Sequence, residues 1–90
     1  MNITKFGMYI ASLRKEHDLS QYKLANLLNV TRQAVSKWER GEGFPNILIL
    51  YKISKVFDIS VDTLLNASEV FENEAIILNS ASLNKEITNK

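Results

Sequence analysis

Four side chains within one short segment carry the chemistry of this chain: Arg32, Gln33, Ser36 and Lys37. If the segment is helical, that spacing gathers them on one side of it. No carboxylate interrupts the row, and every member can donate a hydrogen bond. Arg and Lys can donate to guanine O6 and N7, Gln can pair both ways with adenine, and Ser adapts to either. Such a face is suited to reading base edges in DNA. An ordinary solvated helix surface would show the same residue types, so the reading depends on what positions the row.

The positioning elements are legible on both sides. Thr31 is a good N-cap, and Val35 and Trp38, three residues apart, form an inner face opposite the polar row. Upstream, Ser20 caps a helix beginning at Gln21 that is expected to bury Leu24, Ala25, Leu27 and Leu28. Asn29 stands where the chain must turn through left-handed backbone, which Asn tolerates best after Gly. Ala25 lies where the two helices approach, so a larger side chain would push them apart. The segment 20–41 thus reads as two short helices at a fixed crossing.

The rest of the chain supplies the frame. Phe6, Ile10 and Leu13 recur at helical spacing and predict a helix from Thr4 to Glu16, in which Gly7 permits close packing. Asp18 and Ser20 break it, with Leu19 turned inward. Residues 40–46 form a loop by composition, with Gly41 ending one helix and Pro45 and Asn46 starting the next. Ile47, Leu50, Ile53, Ser54 and Phe57 are expected to face the core from a helix ending at Asp58. Ser60 caps a last short helix anchored by Leu64 and Leu65. The expectation is an all-α domain of five helices over residues 1–66, followed by a C-terminal extension over 67–90. In that extension, residues 69–79 are read as a short amphipathic helix with Phe71, Ala75 and Leu78 on one stripe. Residues 79–90 are polar and read as frayed or partner-dependent. Leu48, Ile49 and Tyr51 exceed what the core can bury, so Leu48 and Ile49, with Phe71 and Leu78, are the candidate dimer surface.

Composition excludes several classes. There is no cysteine and one histidine, His17, so neither disulfides nor a transition-metal site is expected, and no cofactor is called for. His17 is read as a solvated side chain near a helix C-terminus. No apolar run approaches the roughly 20 residues of a membrane span, and the N-terminus lacks a signal-peptide layout. A cytoplasmic location is expected. Residues 1–66 hold nine Lys/Arg against six acids, and residues 67–90 hold two against four, giving +3 and −2. A basic body with an acidic tail suits phosphate contact on the body. Asp58 and Asp62 are explained by capping and solvation, and no Gly-rich phosphate loop is present, so catalysis is not expected.

Residues 3–66 resemble the Cro/C1-type helix-turn-helix domain, the lambda-repressor-like fold of the XRE family. The matching stretches are IASLRKEHDLSQ, LANLLNVTRQAVSKWERG, FPN and LYKISKVFDISVDTLL, and their order and spacing together make the likeness specific. The resemblance implies that the helix after Thr31 lies in the major groove, with Arg32, Gln33, Ser36 and Lys37 as base readers. It implies that Gln21 binds phosphate and also braces the first readout residue. Ser20, Thr31 and Arg40, with backbone N–H groups at the helix starts, would hold further phosphates. It also implies a structural ion pair between Arg14 and Glu39, both at the edge of the core. Asn29 stands where the family most often has glycine.

The expected function is therefore a sequence-specific transcription regulator of a prokaryotic cell or phage, a dimeric repressor on a two-fold operator. Its partners would be double-stranded DNA, a second copy of itself, and a possible protein partner through the tail. Two alternatives remain open at this point. One is an antitoxin-type autorepressor whose tail clasps a toxin; the other is a protein-interaction module with the same fold.

Overall fold

Five helices, each opened by a side-chain cap, make up the computed structural model, which describes residues 2–66: α1 (Ile3–Glu16), α2 (Gln21–Leu28), α3 (Arg32–Glu39), α4 (Ile47–Phe57) and α5 (Val61–Leu65). No strand occurs among the described residues. Asn2 Oδ1 accepts from the N–H groups of Thr4 at 2.9 Å and Lys5 at 3.1 Å, which starts α1 one residue before the expected Thr4. The expected caps Ser20, Thr31, Asn46 and Ser60 each accept from a backbone N–H three residues on, at 3.0, 3.1, 2.9 and 2.9 Å. Each satisfies an N–H that has no partner within its helix.

Helix ends follow the same local logic. Asp18, Asn29 and Asp58 take left-handed backbone with φ of 56°, 60° and 56°, and all three are the residue types whose short polar side chains tolerate it. After α3 the left-handed position falls to Gly41, at φ 73°. At these four positions the chain leaves one helix and turns toward the next.

The core draws on every helix: Phe6, Ile10 and Leu13 from α1; Leu24, Ala25 and Leu28 from α2; Val35 and Trp38 from α3; Leu50, Ile53 and Phe57 from α4; Leu64 from α5. Phe44, from the loop, packs its ring against Phe6 with centroids 4.6 Å apart. Buried Ser54 is satisfied by donating its hydroxyl to Tyr51 O at 2.7 Å. α1 and α3 meet backbone to backbone at Gly7, where a Cβ would fall 2.0 Å from Trp38 O. α3 is thus seated directly on α1.

Several apolar positions differ from expectation. Leu27 is 56% exposed and Ile47 70% exposed, and Leu65 is also exposed. At about 100° per residue, Leu24, Leu28 and Ala25 fill the inward arc of α2, and Leu27 falls about 60° outside it. Ile47 has the right phase but is the first residue of α4, beyond the reach of the core. Ile49, expected outward with Leu48, is half-buried against the core, because neighbouring helix positions diverge by about 100°. Leu48 is instead flanked on the open face by Ile47 and Tyr51, and Lys55 lies over the Tyr51 ring at 5.1 Å. His17 is exposed as expected, its Nδ1–H donating to Leu13 O at 2.9 Å and its ring edge-on to Phe57 at 4.9 Å. Phe71, Leu78 and the expected 69–79 helix lie outside the described residues.

Candidate nucleic-acid interface

The open side of α3 is built by what its other side must bury. Val35 and Trp38 are committed to the core, so the residues about half a turn away face solvent. Arg32, Gln33 and Lys37 are exposed and Ser36 is half-buried. All four lie on the free face of a helix of eight residues whose N-terminus is fixed by Thr31. The structure therefore brings together the four side chains that the sequence singles out. Thr31 and Ser20 use their hydroxyl oxygens as acceptors for caps, which leaves each hydroxyl proton to donate outward.

Arg40 extends this face. Its guanidinium donates to Ser36 Oγ, one turn back, and to Glu42 Oε1 at 2.9 Å. The hydrogen bond and charge of Arg40, with Lys37 nearby, hold the Glu42 carboxyl below the usual carboxylate range. Arg40 is held against Ser36 at the edge of the row. Glu42 was not singled out from sequence; its signal was a carboxylate two residues after an arginine in a Gly-rich turn.

Behind the face lies a nearly buried polar chain. Arg14 Nε donates to Glu39 Oε2 at 2.7 Å and its second terminal nitrogen to Glu39 Oε1 at 3.0 Å. The remaining terminal nitrogen donates to Leu19 O at 2.9 Å, tying the α1–α2 turn to the same group. The two side chains are 13% and 8% exposed. Hydrogen bonding to Glu39 and its charge hold the Arg14 guanidinium more firmly protonated, against the opposing effect of burial. Gln21 Nε2 then donates to Glu39 Oε1 at 2.9 Å, while Gln21 Oε1 accepts from Arg32 at 3.2 Å. Arg14, Glu39, Gln21 and Arg32 thus form one continuous hydrogen-bonded chain from α1 to the outer face of α3.

Residues 10–64 match the helix-turn-helix family model. The transcriptional activator BcrR of Enterococcus faecalis is 42% identical over 66 residues, which cover 73% of this chain and 32% of that protein. The repressor protein C2 of Salmonella phage P22 is 37% identical over 65 residues, covering 72% of this chain and 30% of that protein. The chain thus spans about a third of the length of these two relatives. Among solved structures, the P22 c2 repressor in complex with a synthetic operator superposes with a TM-score of 0.63 at 36% identity, over 66% of this chain and 89% of that one. The regulator of biofilm formation SinR, in complex with DNA, gives a TM-score of 0.62 at 39% identity, over 67% of this chain and 97% of that one.

Proposed function

The chain belongs to the helix-turn-helix family of Cro/C1 type, and from that premise we propose that it is a sequence-specific DNA-binding transcription regulator. Residues 1–66 form the DNA-binding unit, with the first two turns of α3 laid in the major groove. The observation that carries this reading is the row Arg32, Gln33, Ser36 and Lys37: donor-rich, free of carboxylates, and held open on a helix whose other side is locked in the core. Arg32 and Lys37 suit guanine, Gln33 suits adenine, and Ser36 adapts. Ser20, Gln21, Thr31 and Arg40, with the N-terminal N–H groups of α2 and α3, suit the flanking phosphates. The activity is binding rather than catalysis. Among the described residues no helix is long and apolar enough to cross a membrane.

One helix of this length touches only a few base pairs, so the functional unit we propose is a homodimer on two half-sites about one helical turn apart. Leu48, flanked by Ile47 and Tyr51 and with Ile49 at its margin, is the candidate surface on the body; Phe71 and Leu78 are the candidates in the extension. Such a dimer on a promoter represses by excluding polymerase.

Arg32→Ala tests the readout assignment. Its affinity for a preferred duplex should fall by about 1–3 kcal/mol, with relaxed preference at one base pair per half-site. Competition binding against cognate and scrambled duplexes measures both. Unchanged affinity for the two would contradict the assignment.

A further inference from the structure

The turn that ends α3 sets an acid beside the helix's outward row. Gly41 takes left-handed backbone at φ 73°, its N–H donates to Trp38 O at 3.0 Å, and the next N–H, of Glu42, donates to Lys37 O at 2.9 Å. Two such bonds, closing on neighbouring carbonyls, fix the backbone of residue 42 against the last turn of the helix. From there the Glu42 carboxylate reaches the Arg40 guanidinium, accepting through Oε1 from one terminal nitrogen at 2.9 Å. The other terminal nitrogen donates to Ser36 Oγ. Lys37 is also near enough to favour the charged form of Glu42.

This placement does little for the fold. Both side chains are about half exposed, at 52% and 55%, and exposed ion pairs contribute little to stability. A carboxylate at the C-terminal end of a helix also opposes the helix dipole. What the carboxylate does alter is the state of Arg40. To a guanidinium, carboxylate and phosphate oxygens are the same kind of partner, an anionic acceptor for its N–H groups. Glu42 holds Arg40 through one oxygen rather than a bidentate fork, so a phosphate can replace it.

We propose that Glu42 is an internal counterion of the DNA interface: in the free protein its carboxylate occupies the edge of Arg40 that a backbone phosphate takes in the complex. That exchange presupposes the reading of Arg40 as a phosphate contact. Binding then swaps one anion for another at Arg40, and the displaced carboxylate is left facing the phosphates. Both effects cost affinity on every sequence alike, since phosphates carry no base identity. With this uniform part of the affinity held down, occupancy of a site depends more on the base contacts of Arg32, Gln33, Ser36 and Lys37.

The test uses the full 90-residue chain with a duplex selected by it and a scrambled one, at two salt concentrations. Glu42→Gln keeps the shape of the side chain and removes its charge. At the lower salt it should tighten binding to both duplexes by a similar factor, roughly 3- to 10-fold, and the gain should shrink at the higher salt. Added to Arg40→Gln, the same change should gain about twofold or less, the remainder being general repulsion between a carboxylate and DNA. Both positions are exposed, so urea midpoints should match the parent's. An equal gain with and without Arg40 would overturn the counterion role, leaving general repulsion alone. No gain, or a loss, would show that Glu42 does not compete with phosphate. If Arg40→Gln failed to weaken the Glu42→Gln protein, Arg40 would touch no phosphate and the inference would fall while DNA binding stood. A parent chain that bound neither duplex would instead refute the DNA-binding reading, a result distinct from all of these.

Discussion

Gly7→Ala is expected to destabilise the domain by about 3 kcal/mol or more, although alanine is the better helix former by about 1 kcal/mol. The added Cβ would lie 2.0 Å from Trp38 O, 3.0 Å from Trp38 C and 3.1 Å from Glu39 C. All three are backbone atoms of α3, so no rotamer change relieves the overlap. Relief requires α1 and α3 to separate, which opens the packing of Phe6 and Ile10 against Val35 and Trp38. Urea denaturation measures the effect as a lowered midpoint at unchanged slope. A variant as stable as the parent would show that the two helices do not approach as described. Because α3 moves as a unit with Trp38, the fraction that stays folded should also bind DNA more weakly.

Arg14→Met should cost about 3 kcal/mol, chiefly because it leaves the Glu39 carboxylate nearly buried with only the Gln21 amide as partner. Removing both charges, as Arg14→Met with Glu39→Leu, should destabilise less than the single change, since no orphaned charge remains. A double variant as unstable as the sum of the singles would contradict this. The pH dependence has a definite sign on the arginine side. The folded-state pKa of Arg14 is raised, so its contribution is fully present below the unfolded value and is lost only as pH rises through the folded one. Both lie far above neutrality, so Arg14 itself adds no pH dependence to stability near pH 7. The double variant is also informative for binding, because without Glu39 the Gln21 amide is free to turn.

The parts legible in the sequence are those set by near neighbours. Ser20, Thr31, Asn46 and Ser60 announce their helices because a cap acts three residues away. Asn29 and Gly41 mark turns because left-handed backbone excludes most residue types. The outward row on α3 was legible because Val35 and Trp38 leave no other arrangement for it. The failures are tertiary. Leu27, Ile47 and Leu65 are apolar and helical, yet whether each is covered depends on helices whose crossing no local pattern specifies. The packing role of Gly7 is legible from its place in α1, but its partner Trp38 O is not, since it lies on another helix. The Gln21–Glu39 contact spans 18 residues of sequence, and the amide direction follows only once Arg14 is seen to occupy the other side of the carboxylate.

In the function proposed above, α3 reads base sequence rather than merely presenting positive charge. Selection of bound duplexes from a random library, followed by titration of selected and scrambled duplexes at two salt concentrations, addresses it most directly. The expected result is enrichment of a motif with paired half-sites about 10 base pairs apart, bound roughly 1,000-fold or more tightly than scrambled DNA. Affinities for both should fall steeply with salt, as counterions are released from phosphates. An unenriched pool, or equal affinity for selected and scrambled duplexes, would contradict it.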